Sequence, residues 1–205
     1  MDRLSRQLEF VREADRLKGV LRHTELTDPA RRENSAEHSW HLALMALALG
    51  EYAPAGTDIG TVVQMVVLHD LVEIDAGDLS VHAPAAAQAH QHAAELAAAD
   101  RLFALLPADQ AAALRRLWDE FETRESREAR FARALDRLLP ILQDVRAGGA
   151  AWRRQGVTAD QVLSKVTLIA DGSAALGEFA TGLVAQAVTD GILAPPAAGD
   201  PGPGR

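Results

Sequence analysis

Residues 59–74, IGTVVQMVVLHDLVEI, constrain the fold more than any other stretch of this chain. A helix that is apolar nearly all the way round has no face to give to water, so other helices must enclose it. Asp58 is placed to open this helix and Gly77 to close the region. Its far end nevertheless carries His69, Asp70 and Glu73. A carboxylate taken into such surroundings is costly unless it is paired or coordinates a cation. Glu73 stands four residues after His69, which puts both side chains on one helical face. Asp78 follows Gly77, where a loop could swing it back over the helix end. The chain therefore has to supply both a shell of helices and a partner for buried charge.

The rest of the sequence supplies helices. Leu4, Leu8, Val11 and Leu17 recur at helical spacing before Gly19. A polar stretch over 23–32, containing Asp28-Pro29, reads as a loop. The next helix starts at Asn34 or Ser35, with Glu37 as capping partner and Leu42, Met45, Ala46 and Leu49 as its apolar face. Further helices are expected over 84–106, from Pro107 to about Thr123, and from Ser126 to Gly148-Gly149, the last kinked at Pro140. A final helix runs from about 158 to 190 with a break near Gly172 or Gly177. β-branched residues cluster only over 62–67, inside a helical context, so no strand is expected. The class is all-α: one helical domain over 1–193, then a tail over 194–205 with the composition of a disordered end.

Composition narrows the chemistry. With 205 residues the chain can bury a full core, and with no cysteine it has no thiol nucleophile and no thiolate metal site. Any metal must be held by His, Asp and Glu. A formal charge of −8 argues against binding polymeric nucleic acid, which runs on Lys and Arg. No apolar run reaches the length of a membrane span and the first residues lack a signal-peptide core, so a cytoplasmic protein is expected.

Taken singly, the candidate residues all have ordinary readings. His38, a turn before Leu42, could be a core histidine satisfied by one hydrogen bond, and His41 could pack locally. Asp136, within FARALDRLLPIL, could pair with Arg133 or Arg137 on an exposed edge. Glu73 and Asp78 could simply solvate a helix end. Taken together, His38, His69-Asp70 and Asp136 supply two imidazoles and two carboxylates from three core helices, a set suited to a divalent first-row metal.

That order of motifs resembles the HD-domain metal-dependent phosphohydrolases, in particular the branch containing bacterial 5′-deoxynucleotidases. The carrying segments are ENSAEHSWHLALMALAL at 33–49, VVLHDLVEIDAGDL at 66–79 and FARALDRLLPIL at 131–142. The resemblance implies an HD-domain helical bundle, forming a homodimer, in which His38, His69, Asp70 and Asp136 bind one divalent metal ion such as manganese or cobalt. It implies Glu73 and Asp78 as the catalytic acid–base residues and Arg22 as the substrate-phosphate contact. The implied substrate is a small phosphorylated molecule, a (deoxy)nucleoside 5′-monophosphate. His23 stands where that branch has a tryptophan, and the chain reads Leu79-Ser80-Val81-His82-Ala83-Pro84 where that branch carries a lysine and a threonine shortly after Gly-Asp, so the departures fall where sugar and base are judged. Arg31 and Arg32 are second-choice phosphate contacts, better read as exposed loop charges. His82, His90 and His92 could suggest a second metal but are better read as solvent-exposed. Alternatives are a phosphodiesterase or signalling-nucleotide hydrolase, which the missing Gly-Tyr-Pro signature disfavours, and a non-catalytic metal- or nucleotide-binding dimer, which Glu73 and Asp78 disfavour.

Overall fold

The computed structural model describes residues 2–25, 31–79 and 83–197. Its elements in chain order are α1 (Arg3–Ala14), β1 (Leu21–Glu25), β2 (Arg32–Asn34), α2 (Ser35–Leu49), α3 (Ile59–Leu68), α4 (Glu73–Ala76), α5 (Ala85–Phe103), α6 (Ala108–Thr123), α7 (Arg127–Arg146), α8 (Ala150–Gln155), α9 (Ala159–Gly172) and α10 (Ala174–Thr189). The all-α class holds, and no described helix is long and apolar enough to cross a membrane.

α3 lies between two apolar clusters, as its composition demands. Val62, Met65 and Val66 pack with residues of α2, α7, α9 and α10. Leu68, Leu71 and Val72 pack with Leu102 and Phe103 of α5 and Trp118 of α6. Local chemistry sets the ends of these helices. Asn34 and Glu37 form a reciprocal capping box at α2, Asp58 caps α3, and Ser126 caps α7. α7 runs on through Pro140 to Arg146, and the long C-terminal helix breaks at Gly172, where Ser173 caps α10. Gly172 marks very close packing, since a Cβ there would lie 2.2 Å from the Arg130 carbonyl oxygen and 2.7 Å from Ala134 Cβ. That approach holds α9 against the part of α7 that carries Asp136.

Four features depart from the expectations. Residues 59–74 are not one helix: the α-helix ends at Leu68, His69–Val72 form a 3₁₀ turn, and α4 adds a final turn before Gly77 at φ 73°. Two short strands, β1 and β2, pair antiparallel within the stretch expected as loop. A short helix, α8, sits between Gly149 and Gly156, both in the left-handed region. On α1, Leu17 of the following turn is buried, but Leu4, Leu8 and Val11 are exposed. At the C-terminal end, Ala194 accepts a hydrogen bond from Ala159 N–H and Ala197 N–H donates to Asp160, while residues 198–205 lie outside the described residues.

Candidate metal centre

The 3₁₀ turn tightens the chain where α3 ends and delivers His69, Asp70 and, one step on, Glu73 to the side of a cavity of about 350 Å³. α2 brings His38 and α7 brings Asp136 to the same place. All five side chains are buried. Asp136 does pair with both neighbouring arginines, at 3.4 Å to Arg133 and 3.5 Å to Arg137, but inside the protein and not on an exposed edge.

The His69 ring is fixed by a backbone hydrogen bond, whereas His38 Nδ1 faces Glu33 without one and its Nε2 reaches Asp136. His69 Nδ1 lies 2.9 Å from the Val66 carbonyl oxygen, an acceptor only, which puts the proton on Nδ1. The remaining Nε2 lies 2.9 Å from Asp70 Oδ1 and 3.7 Å from Asp136 Oδ1, with no hydrogen bond. His38 places Nδ1 3.4 Å from Glu33 Oε2 and Nε2 3.1 Å from the same Asp136 oxygen. A lone pair facing carboxylate oxygens in a buried site is repulsive unless a proton or a cation lies between them. The electrostatics agree: burial opposes a charged His69, yet Asp70 and Asp136 overcome it and raise the imidazole to about 10. Burial would also raise Asp136, but Arg137, His38 and His69 hold it well below the usual carboxylate range. Two nitrogens and two carboxylates, with the imidazoles oriented by Val66 and Glu33, fit a divalent cation that tolerates hard and borderline ligands.

Glu73 behaves differently from its neighbours. Burial first, then Asp70 and Asp78, push its carboxyl well above the usual range, and Ser35 Oγ donates to Oε2 at 2.6 Å. Asp78 turns back over the helix end, as the position of Gly77 suggested, and accepts the His23 backbone N–H at 2.9 Å.

Arg22 also reaches the site, but among carboxylates. Its Nη1 donates to Asp70 Oδ2 at 2.8 Å, and its Nε is 3.5 Å from Glu33 Oε2. Strand alternation explains this: in the β1–β2 hairpin Arg22 and Glu33 turn inward while Leu21 and Arg32 face solvent. Arg31 pairs with Glu37, and Arg32 donates to the carbonyls of Leu21 and Arg22. Neither lines the cavity. His41 packs beside Trp40. His90 is exposed, and His82 lies outside the described residues. His92 is exposed as expected, yet it lines the cavity with Glu95 and Glu122, their ligand-type atoms all within 4.8 Å of one another.

The sequence reading missed Glu33, Ser35 and Gln143. Gln143 Nε2 donates to Glu33 Oε1 at 2.8 Å. Its spacing of seven from Asp136, two helical turns along α7, was the available signal. Glu33 gave none without the strand.

A family model described as an HD domain matches residues 14–176. The 5′-deoxynucleotidase HDDC2 of Bos taurus is 32% identical over 142 residues, covering 66% of this chain and 65% of that protein. The Homo sapiens protein of the same name is 32% identical over 139 residues, with the same shares of 66% and 65%. The match thus spans 65% of the length of these curated relatives. A solved structure described as a predicted metal-dependent phosphohydrolase from Magnetospirillum magnetotacticum MS-1 superposes with a TM-score of 0.90 at 50% identity, covering 94% of this chain and 99% of that one.

Proposed function

The chain belongs to the HD domain family, and from that membership we propose that it is a metal-dependent phosphohydrolase releasing phosphate from nucleoside 5′-monophosphates, deoxyribonucleotides among them. The observation that carries the reading is the convergence of His38, His69 and Asp136 on one buried spot, their ligand atoms within 4.8 Å of one another and Nε2 of both imidazoles aimed at a single Asp136 oxygen, with Asp70 beside His69 at 2.9 Å. These four residues would hold one divalent cation, manganese or cobalt being suited to the nitrogen-and-oxygen set. Such a cation supplies Lewis acidity at a phosphoryl oxygen and a more acidic bound water.

The protein's own groups do the rest. Glu73 has one oxygen fixed by Ser35 and a proton affinity raised by burial and by Asp70, which suits a proton-transfer group. It takes the proton of the attacking water. Asp78, anchored at the His23 N–H beside the cavity, supports protonation of the leaving nucleoside oxygen. Arg22, clasped by Asp70 and Glu33, holds the Asp70 carboxylate in place, so contact with substrate phosphate is secondary to that duty. His23 and Leu79 line a smaller cavity with Pro140 and Trp152, and this is where the sugar and base would be judged.

The reading includes a homodimer, supported by two exposed apolar stripes at helical spacing, Leu4–Leu8–Val11 on α1 and Trp40–Leu44–Leu47 on α2. A cytoplasmic location follows from the substrate, since nucleoside monophosphates are pooled there. The test is phosphate release from ribo- and deoxyribonucleoside monophosphates with manganese or cobalt. Asp70→Ala should lose metal and activity together. No phosphate above the metal-free control for any nucleotide would refute the assignment.

A further inference from the structure

Of the arginines and lysine lining the cavity, two are already answered by carboxylates, and Arg124 is exposed to solvent. Arg22 has Asp70 and Glu33. Arg133 has Glu122 at 3.0 Å and Asp136 at 3.4 Å, and its guanidinium covers the Phe121 ring at 4.2 Å. Two others are not answered. Arg137 on α7 has a single ion pair, 3.5 Å to an Asp136 oxygen that Arg133 shares, and its buried Nε, like those of Arg22 and Arg133, has no hydrogen-bond partner. Lys165 on α9 lines the same cavity, and among the described residues no carboxylate comes within ion-pair distance of it. The charged group it feels is Arg137, and burial together with that guanidinium lowers its ammonium from the usual lysine range. Two cations lining one partly desolvated cavity repel, and an arriving anion relieves both the repulsion and the unmet donors.

We propose that Arg137 and Lys165 form the anion subsite of the cavity, taking the non-bridging oxygens of the substrate's phosphate. This rests on the phosphohydrolase reading and deepens it. The phosphate contact moves from Arg22 on β1 to the α7–α9 wall, where Arg137 adjoins Asp136 in sequence. Its planar fork suits two phosphate oxygens, and Lys165 adds a mobile point charge.

The experiment compares the metal-loaded wild type with Lys165→Met, Lys165→Arg and Arg137→Gln. Inorganic phosphate, the expected product, is titrated calorimetrically, and KM and kcat for a nucleoside monophosphate are measured alongside metal stoichiometry. Lys165→Met should weaken phosphate binding by about tenfold, the loss expected for a charge-assisted contact. It should raise KM by a similar factor, keep kcat within about threefold and leave the metal count unchanged. Lys165→Arg should recover most of the affinity, and Arg137→Gln should weaken phosphate binding further. Phosphate affinity in both Lys165→Met and Arg137→Gln equal to wild type, or no phosphate binding by wild type at millimolar concentration, overturns the subsite. A wild type that binds phosphate through Lys165 but hydrolyses no nucleotide sinks the phosphohydrolase reading and leaves the subsite standing. Nucleotide turnover with an unchanged KM in Lys165→Met does the reverse.

Discussion

Glu33 offers a sharp test of how the metal centre is built, because it touches a histidine and not the cation's own position. Its carboxylate is 1% exposed, accepts from Gln143 at 2.8 Å and lies 3.4 Å from His38 Nδ1. Replacement by Gln keeps the shape and removes the charge. At 3.4 Å a full unit charge on the ring would gain about 5 kcal/mol at an effective dielectric of about 20. The ring N–H is a dipole that faces Glu33 at 3.4 Å without hydrogen-bond geometry, so the scale of a hydrogen bond to a charged group, about 1.5–3 kcal/mol, is the ceiling. That corresponds to roughly a 10- to 150-fold loss, in line with the 10- to 100-fold cost typical of residues that orient a metal-binding histidine. Glu33→Gln should therefore bind manganese one to two orders of magnitude more weakly, read by calorimetric titration of the chelator-stripped protein. Circular dichroism with saturating metal should show the same helix content as wild type. An affinity within about twofold of wild type would refute the argument that Glu33 sets the tautomer of His38 and hence the lone pair at Nε2.

Other perturbations separate the remaining roles. Glu73→Gln should keep a full complement of metal by elemental analysis while kcat falls about 10²- to 10⁴-fold, and native turnover would show that another group moves the proton. Gly172→Ala would push a Cβ to 2.2 Å from the Arg130 carbonyl, so urea unfolding should show a loss of about 2 kcal/mol or more, whereas a gain would contradict the close α7–α9 approach. The Glu95 carboxyl is raised by burial and by Glu122, so folding binds its proton more tightly than the unfolded chain does. Its charge thus costs stability at neutral pH, and the cost fades as pH falls below the ordinary value near 4.5. Glu95→Gln should raise Tm at about pH 7 but not at about pH 4, and the opposite order in thermal melts would reverse the sign of the argument.

The parts of the site legible in the sequence were legible for different reasons. His69 and Asp70 stand in a nearly all-apolar stretch, so the cost of burying them called for a partner, whereas His38 and Asp136 read singly as a satisfied core histidine and an exposed ion pair and joined the set only through the order of the motifs. Patterning alone gave less where structure depends on partners that it does not record. Leu4, Leu8 and Val11 form a true helical stripe, but periodicity identifies a face and not what covers it, and among the described residues nothing does. The β1–β2 hairpin escaped because its strands are five and three residues long and polar. It is held by the inward ion pair of Arg22 and Glu33 and by Arg32 bonding to strand carbonyls, with no alternating apolar row to read. Missing the hairpin had a direct consequence: the phosphate contact that the resemblance implies for Arg22 met no competing duty, because Glu33, its partner across the strands, was invisible. Once Glu33 and Asp70 are seen to hold Arg22, the unanswered positive charge of the cavity has to be sought elsewhere, and only a three-dimensional packing of α7 on α9 puts Arg137 and Lys165, 28 positions apart in the chain, beside each other.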